Sequence, residues 1–76
     1  MAAYSVRVSR YESTVREHRE RLGLSQEALA RTLGVSRQTI SNIEKGMSEP
    51  RVLLAIAIGL ALGVEIADLF RKGMFR

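Results

Sequence analysis

Apolar residues recur along this chain at two spacings, and the change between them lays out its elements. At the start, Tyr4, Val6 and Val8 alternate with Ser5, Arg7 and Ser9, a period of two that predicts a short strand. From Tyr11 the spacing turns helical. Tyr11, Val15, His18 and Leu22 form one stripe of a first helix, starting near Arg10 or Tyr11 and ending at Leu22. Ser9-Arg10-Tyr11-Glu12 fits a capping box for that start, and Thr14-Val15-Arg16-Glu17 offers a later one. A second helix, Gln26–Leu33, follows the cap residue Ser25 and places Ala28, Leu29 and Leu33 at helical spacing. Gly34 stops it, because the residue just past a helix end usually takes positive φ, which glycine adopts without steric cost. Val35 plugs the corner, and Ser36 caps a third helix, Arg37 to Lys45, that buries Ile40 and Ile43. Pro50 suits the first turn of a fourth helix, Arg51 to Leu62, with Ser48 or Glu49 as cap. A fifth, from Glu65 to about Arg71, adds Ile66, Leu69 and Phe70 to the core. The expectation is an all-α, compact five-helix bundle over residues 11–71, with an N-terminal arm or strand at 1–10 and a tail at 72–76.

The fourth helix breaks the amphipathic pattern. Val52, Ala55, Ile56, Gly59 and Leu62 are its expected core face, yet the opposite face, Leu53, Leu54, Ala57, Leu60 and Ala61, is apolar too. Left bare, such a face is a patch that soluble monomers avoid, so burial against a second chain or under the N-terminal segment is expected. The five residues of that opposite face, with the fifth helix and the N-terminal strand, are the predicted dimer surface. The N-terminal strand pattern leaves three readings open: pairing with a partner copy, lying as a basic arm on DNA, or a loose terminus.

Candidate chemistry concentrates on the third helix. Its outer face carries Arg37, Gln38, Ser41 and Asn42, short planar or forked donors and acceptors rather than Glu/Lys pairs. Such groups match base edges in a major groove: arginine can pair bidentately with guanine, and glutamine or asparagine with adenine. Arg37 could equally hold a phosphate. Thr39 could reach a thymine methyl or the backbone, or be a solvated helix residue. A helix, a tight glycine turn and a polar second helix make a helix-turn-helix.

Totals narrow the classes that remain. The net charge of +4 favours a polyanionic partner. One His, one Asp and no Cys leave metal centres and acid–base pairs nearly unpopulated. With no nucleophile–base pair, phosphate loop or ligand cluster, neither an enzyme, a cofactor, a metal nor a small-molecule substrate is expected. The absence of cysteine fits a reducing cytosol, so a cytoplasmic location is expected. The longest apolar run, Val52 to Val64, is too short to span a bilayer, and the N-terminus shows no signal-peptide pattern.

Leu22-Gly23-Leu24-Ser25-Gln26-Glu27-Ala28-Leu29-Ala30, Leu33-Gly34-Val35-Ser36 and Thr39-Ile40-Ser41-Asn42-Ile43-Glu44-Lys45-Gly46 together resemble the Cro/repressor-type (XRE) helix-turn-helix domain. The likeness continues through Pro50 and Ala61-Leu62-Gly63-Val64 to Leu69-Phe70, covering about residues 11 to 70. The resemblance implies a double-stranded DNA-binding transcriptional regulator, with repression the expected mode. It implies that Gln26 touches a phosphate at the start of the second helix, and that Lys45, the segment Met47–Ser48 and Arg51 make further phosphate contacts; Thr39, read from its own position, is expected among the phosphate contacts too. It also implies that Arg19 and Glu44 form a structural ion pair fixing the recognition helix. His18 stands where the family often has leucine, so a packed structural role is expected. Gly59 falls where the family keeps a small residue against another helix. One helix reading a few base pairs is too little to find a genomic site, so a homodimer on a palindromic operator is expected, its half-sites ~34 Å apart. The family also includes antitoxins that bind both operator and toxin. The alternative is therefore a small antitoxin-type or partner-binding protein that uses the apolar face of the fourth helix.

Overall fold

A computed structural model of the chain describes residues 11–71; the predicted strand at 1–10 and the tail at 72–76 lie outside the described residues. The element order is β1 (Glu12–Ser13), α1 (Val15–Arg21), α2 (Gln26–Leu33), α3 (Arg37–Glu44), α4 (Val52–Leu62), α5 (Ile66–Leu69) and β2 (Phe70–Arg71). Five helices surround a core of Val15, Leu29, Ala30, Ile40, Ile43, Ile58, Leu62 and Leu69, with Leu24, Leu33, Val35, Leu54, Ala61, Val64 and Phe70 packed around it. No helix of the described residues is long and apolar enough to cross a membrane.

The central pair forms as the residue pattern predicts. Ser25 and Ser36 sit in extended backbone, and each side chain accepts a hydrogen bond from a backbone N–H of the first turn, Ala28 and Thr39. Gly34, at φ 73°, turns the chain between the helices. Leu29 and Ile40, fully buried, lock α2 against α3.

The first helix begins later than its stripe suggests. Glu12 and Ser13 pair antiparallel with Arg71 and Phe70, so the expected start near Arg10 or Tyr11 is corrected to Val15, the later of the two capping alternatives. Tertiary pairing outweighs a local first turn here. The Thr14 N–H donates to the Leu69 carbonyl at 2.9 Å, and its hydroxyl reaches the Asp68 carbonyl at 2.6 Å instead of capping the helix. Leu22 falls past the helix end and is 54% exposed, while Arg19 takes the buried place on α1. His18 is half-buried, with Nδ1 3.1 Å from the Thr14 carbonyl.

The same pairing shortens the last helix to Ile66–Leu69, because Phe70 and Arg71 are extended to form β2. Pro50 lies before α4 rather than in its first turn. Arg51 is the N-cap, and its carbonyl accepts from the Ala55 N–H at 2.9 Å. The facing of α4 also differs from expectation. Ala55, Ile58, Gly59 and Leu62 point inward, while Val52 is 72% exposed and Ile56 is exposed as well. A helix that is apolar all round has no polar stripe to fix its rotation, so packing sets it, here about 50° from the predicted facing at ~100° per residue. Gly59 does meet another helix, since a Cβ there would lie 3.6 Å from Ile66 Cγ1 at the start of α5, but its nearest neighbour is backbone. A Cβ there would stand 2.8 Å from the Val64 carbonyl, in the turn that folds back after α4.

Candidate nucleic-acid interface

The second helix of the pair, α3, carries the candidate site, and its outer face is polar. Arg37 and Gln38 are exposed, and Ser41 and Asn42 are half-exposed beside them. Gln38 Nε2 donates to Asn42 Oδ1 at 3.0 Å, one turn away. That bond leaves Gln38 with a free carbonyl oxygen and Asn42 with a free NH₂ on the same face. Thr39 is half-buried, and its hydroxyl is engaged with Ser36 at 2.9 Å, so it serves the helix start.

At the other end of α3, a polar network fastens the helix to the scaffold. Arg19 Nε and Nη2 donate to Glu44 Oε2 and Oε1 at 2.6 and 3.2 Å, and Nη1 donates to the Leu24 carbonyl at 2.7 Å. The two side chains are 9% and 4% exposed. The hydrogen bond from Arg19 to Glu44 raises the guanidinium further above its ordinary range, against the opposing effect of burial. Gln26 Nε2 also donates to Glu44 Oε1, at 3.0 Å. The side chain expected to face a phosphate therefore belongs, in this arrangement, to the network that holds α3.

Arg16, Arg37 and Lys45 line a crevice between α1, α2 and α3, together with Gln26, Glu27 and Ser41. Arg16 is absent from the sequence-derived site. Its signal is spacing: three residues before Arg19, it shares the α1 face turned toward the end of α3. An exposed pair with Glu20, at 3.1 Å, is its contact in the free chain. Lys45, Ser48 and Arg51 are exposed along the turn from α3 to α4.

The predicted dimer residues divide. Leu53 and Leu60 are 80% and 79% exposed, whereas Leu54, Ala57 and Ala61 are half-buried, Leu54 and Ala61 against the core. The exposed apolar stripe runs instead through Val52, Leu53, Ile56 and Leu60, with Ile66 nearby.

The model of a family described as helix-turn-helix (HTH_3) matches residues 15–69. The chain belongs to this helix-turn-helix family. A relative from Methanothermobacter thermautotrophicus, an HTH-type transcriptional regulator, is 54% identical over 57 residues, covering 74% of this chain and 83% of that protein. The HTH-type transcriptional regulator YgzD of Bacillus subtilis is 46% identical over 59 residues, 78% of this chain and 89% of its own. Among solved structures, the restriction-modification controller protein C.AhdI of Aeromonas hydrophila superposes with a TM-score of 0.66 at 34% identity, over 74% of this chain and 85% of that one. The clp gene regulator ClgR of Corynebacterium glutamicum gives 0.67 at 31% identity, over 72% of this chain and 58% of that one. These HTH relatives are transcriptional regulators and not enzymes.

Proposed function

We propose that this chain is a transcriptional repressor that binds a specific double-stranded DNA site, as a homodimer on a palindromic operator. The observation that carries this reading is the outer face of α3, where Arg37, Gln38, Ser41 and Asn42 stand together on a helix anchored by the Arg19–Glu44 pair. The bonded Gln38–Asn42 pair offers one acceptor and one donor, matching the N6 donor and N7 acceptor of an adenine. Arg37 suits a guanine or a phosphate. Arg16, Lys45, Ser48 and Arg51 flank the reading face and suit the phosphate backbone.

Selection of bound duplexes from a random pool tests the reading, and enrichment of a two-fold symmetric site is the expected result. With that site in hand, Gln38→Ala should reduce preference for it more than bulk DNA affinity. Arg51→Ala should weaken all duplexes evenly and flatten the salt dependence. Equal behaviour of the two variants, or no binding to any duplex at low salt, refutes the assignment. The exposed stripe on α4 supports the homodimer, and it equally favours a second reading in which a different protein covers it. Sedimentation of the purified chain at micromolar concentration separates the two, since a clean monomer excludes the homodimer.

A further inference from the structure

Tyr11 does not serve the helix stripe in which its spacing places it. Its hydroxyl is directed at the Ser48 carbonyl and lies 3.3 Å from the Ile43 carbonyl. Its ring meets Phe70 edge to face, with centroids 5.6 Å apart at 81°. Its own carbonyl stands 2.6 Å from where a Cβ on Gly46 would be. Three separate parts of one residue therefore touch the end of α3, the turn beyond it and strand β2.

That turn is where α3 must stop cleanly. The Gly46 N–H donates to the Ile43 carbonyl at 3.1 Å and the Met47 N–H to the Asn42 carbonyl at 2.9 Å, closing the helix with Gly46 at φ 73°. Beyond it, the chain must carry Ser48 to Arg51 at a fixed angle from the reading face before α4 begins. We propose that Tyr11 is a positioning residue for this turn, setting where Lys45, Ser48 and Arg51 stand relative to α3 without touching DNA itself. The proposal rests on the DNA-binding reading above. Burial first, and Glu49 second, raise the Tyr11 phenol, so its hydroxyl remains a donor under ordinary binding conditions.

Tyr11→Phe tests it, because phenylalanine keeps the ring against Phe70 and removes only the hydroxyl. Affinity of the full chain is measured across a salt series for its selected duplex and for an unrelated one, with amide exchange at Gly46 and Met47 compared against Val64. The expected result is a loss of roughly three- to tenfold, equal on both duplexes, as for one hydrogen bond. The slope of log affinity against log salt should flatten by about one, as for one phosphate contact loosened. Exchange at Gly46 and Met47 should quicken while Val64 is unchanged. A role in stability alone would leave the salt slope of the folded variant where it was. Binding and slope within error of the parent chain overturn the proposal, as does a loss confined to the selected duplex. A parent chain that ignores both duplexes at low salt overturns the DNA-binding reading itself, and this role with it.

Discussion

Replacing Arg19 by methionine is expected to be the most damaging single change at a polar side chain. Methionine retains much of the aliphatic stem but strands the Glu44 carboxylate, which is 4% exposed and would keep only the Gln26 amide as partner. Breaking one side of a buried pair costs ~3–5 kcal/mol. A 76-residue domain has roughly 4–11 kcal/mol in total at the usual per-residue stability. The variant should therefore lose between about a quarter and all of that stability. Glu44→Leu should cost less. Arg19 keeps the Leu24 carbonyl at 2.7 Å, and Glu20, whose exposed carboxylate lies 3.9 Å from Nη2, can move to meet it. Replacing both residues removes the uncompensated charge, so the double variant should be more stable than Arg19→Met alone. Urea unfolding of the four proteins at 25 °C, read as a double-mutant cycle, measures all of this. Single losses under ~1 kcal/mol, or strictly additive effects, would refute the claim that a desolvated pair holds α3, since exposed pairs contribute only that much.

Gly59→Ala should destabilise the fold, although alanine is the better helix former by about 1 kcal/mol, because the new Cβ would sit 2.8 Å from the Val64 carbonyl; thermal melting checks the sign. Gly46→Ala should lower the melting temperature further, since it combines positive φ with a Cβ 2.6 Å from the Tyr11 carbonyl. The folded-state pKa of Tyr11 is raised above its ordinary 10.0, so the stability it contributes is complete below that value and is lost as pH rises through the folded pKa. Melting followed into alkaline pH should show this loss, and Tyr11→Phe should remove that component. In the proposed homodimer, Leu60→Glu should abolish self-association in sedimentation while leaving the monomer folded, because the side chain is 79% exposed. Leu54→Glu should instead impair folding, because Leu54 packs on the core.

Local chemistry made the helix-turn-helix legible in the sequence. Ser25, Gly34 and Ser36 each act within a few residues of their own position, so the bounds of α2 and the start of α3 could be read directly. The ends of the domain depended on contacts that no local pattern records. Glu12 and Ser13 have neighbours suited to a helix, yet they pair with Arg71 and Phe70 from the far end of the chain. Tyr11 was at helical spacing with Val15 but belongs to the end of α3. On α4 the missing information was of another kind. Val52 and Ile58 are equally apolar, so only the shape of the surrounding core decides that Ile58 is buried and Val52 is not.

These differences bear on how the proposed reading face is held. An isolated helix of eight residues is unstable in water, so the geometry of α3 must come from its surroundings. Leu29 and Ile40 fix its axis against α2, but apolar contact alone tolerates small rotations and slides. The directional contacts are gathered at its C-terminal end: Arg19 on Glu44 from α1, and Tyr11 on Ile43 and Ser48 from the segment before it. The N-terminal end is held by Ser36 and Thr39 within the turn itself, leaving Arg37 and Gln38 exposed. Arg37 and Ser41 share one crevice with Arg19, Gln26 and Glu44, so the ion-pair network lies directly beside the proposed reading face. Placing the buried ion pair on the last residue of α3 therefore fixes the angle at which Arg37, Gln38, Ser41 and Asn42 project, which the proposed contact with base edges requires.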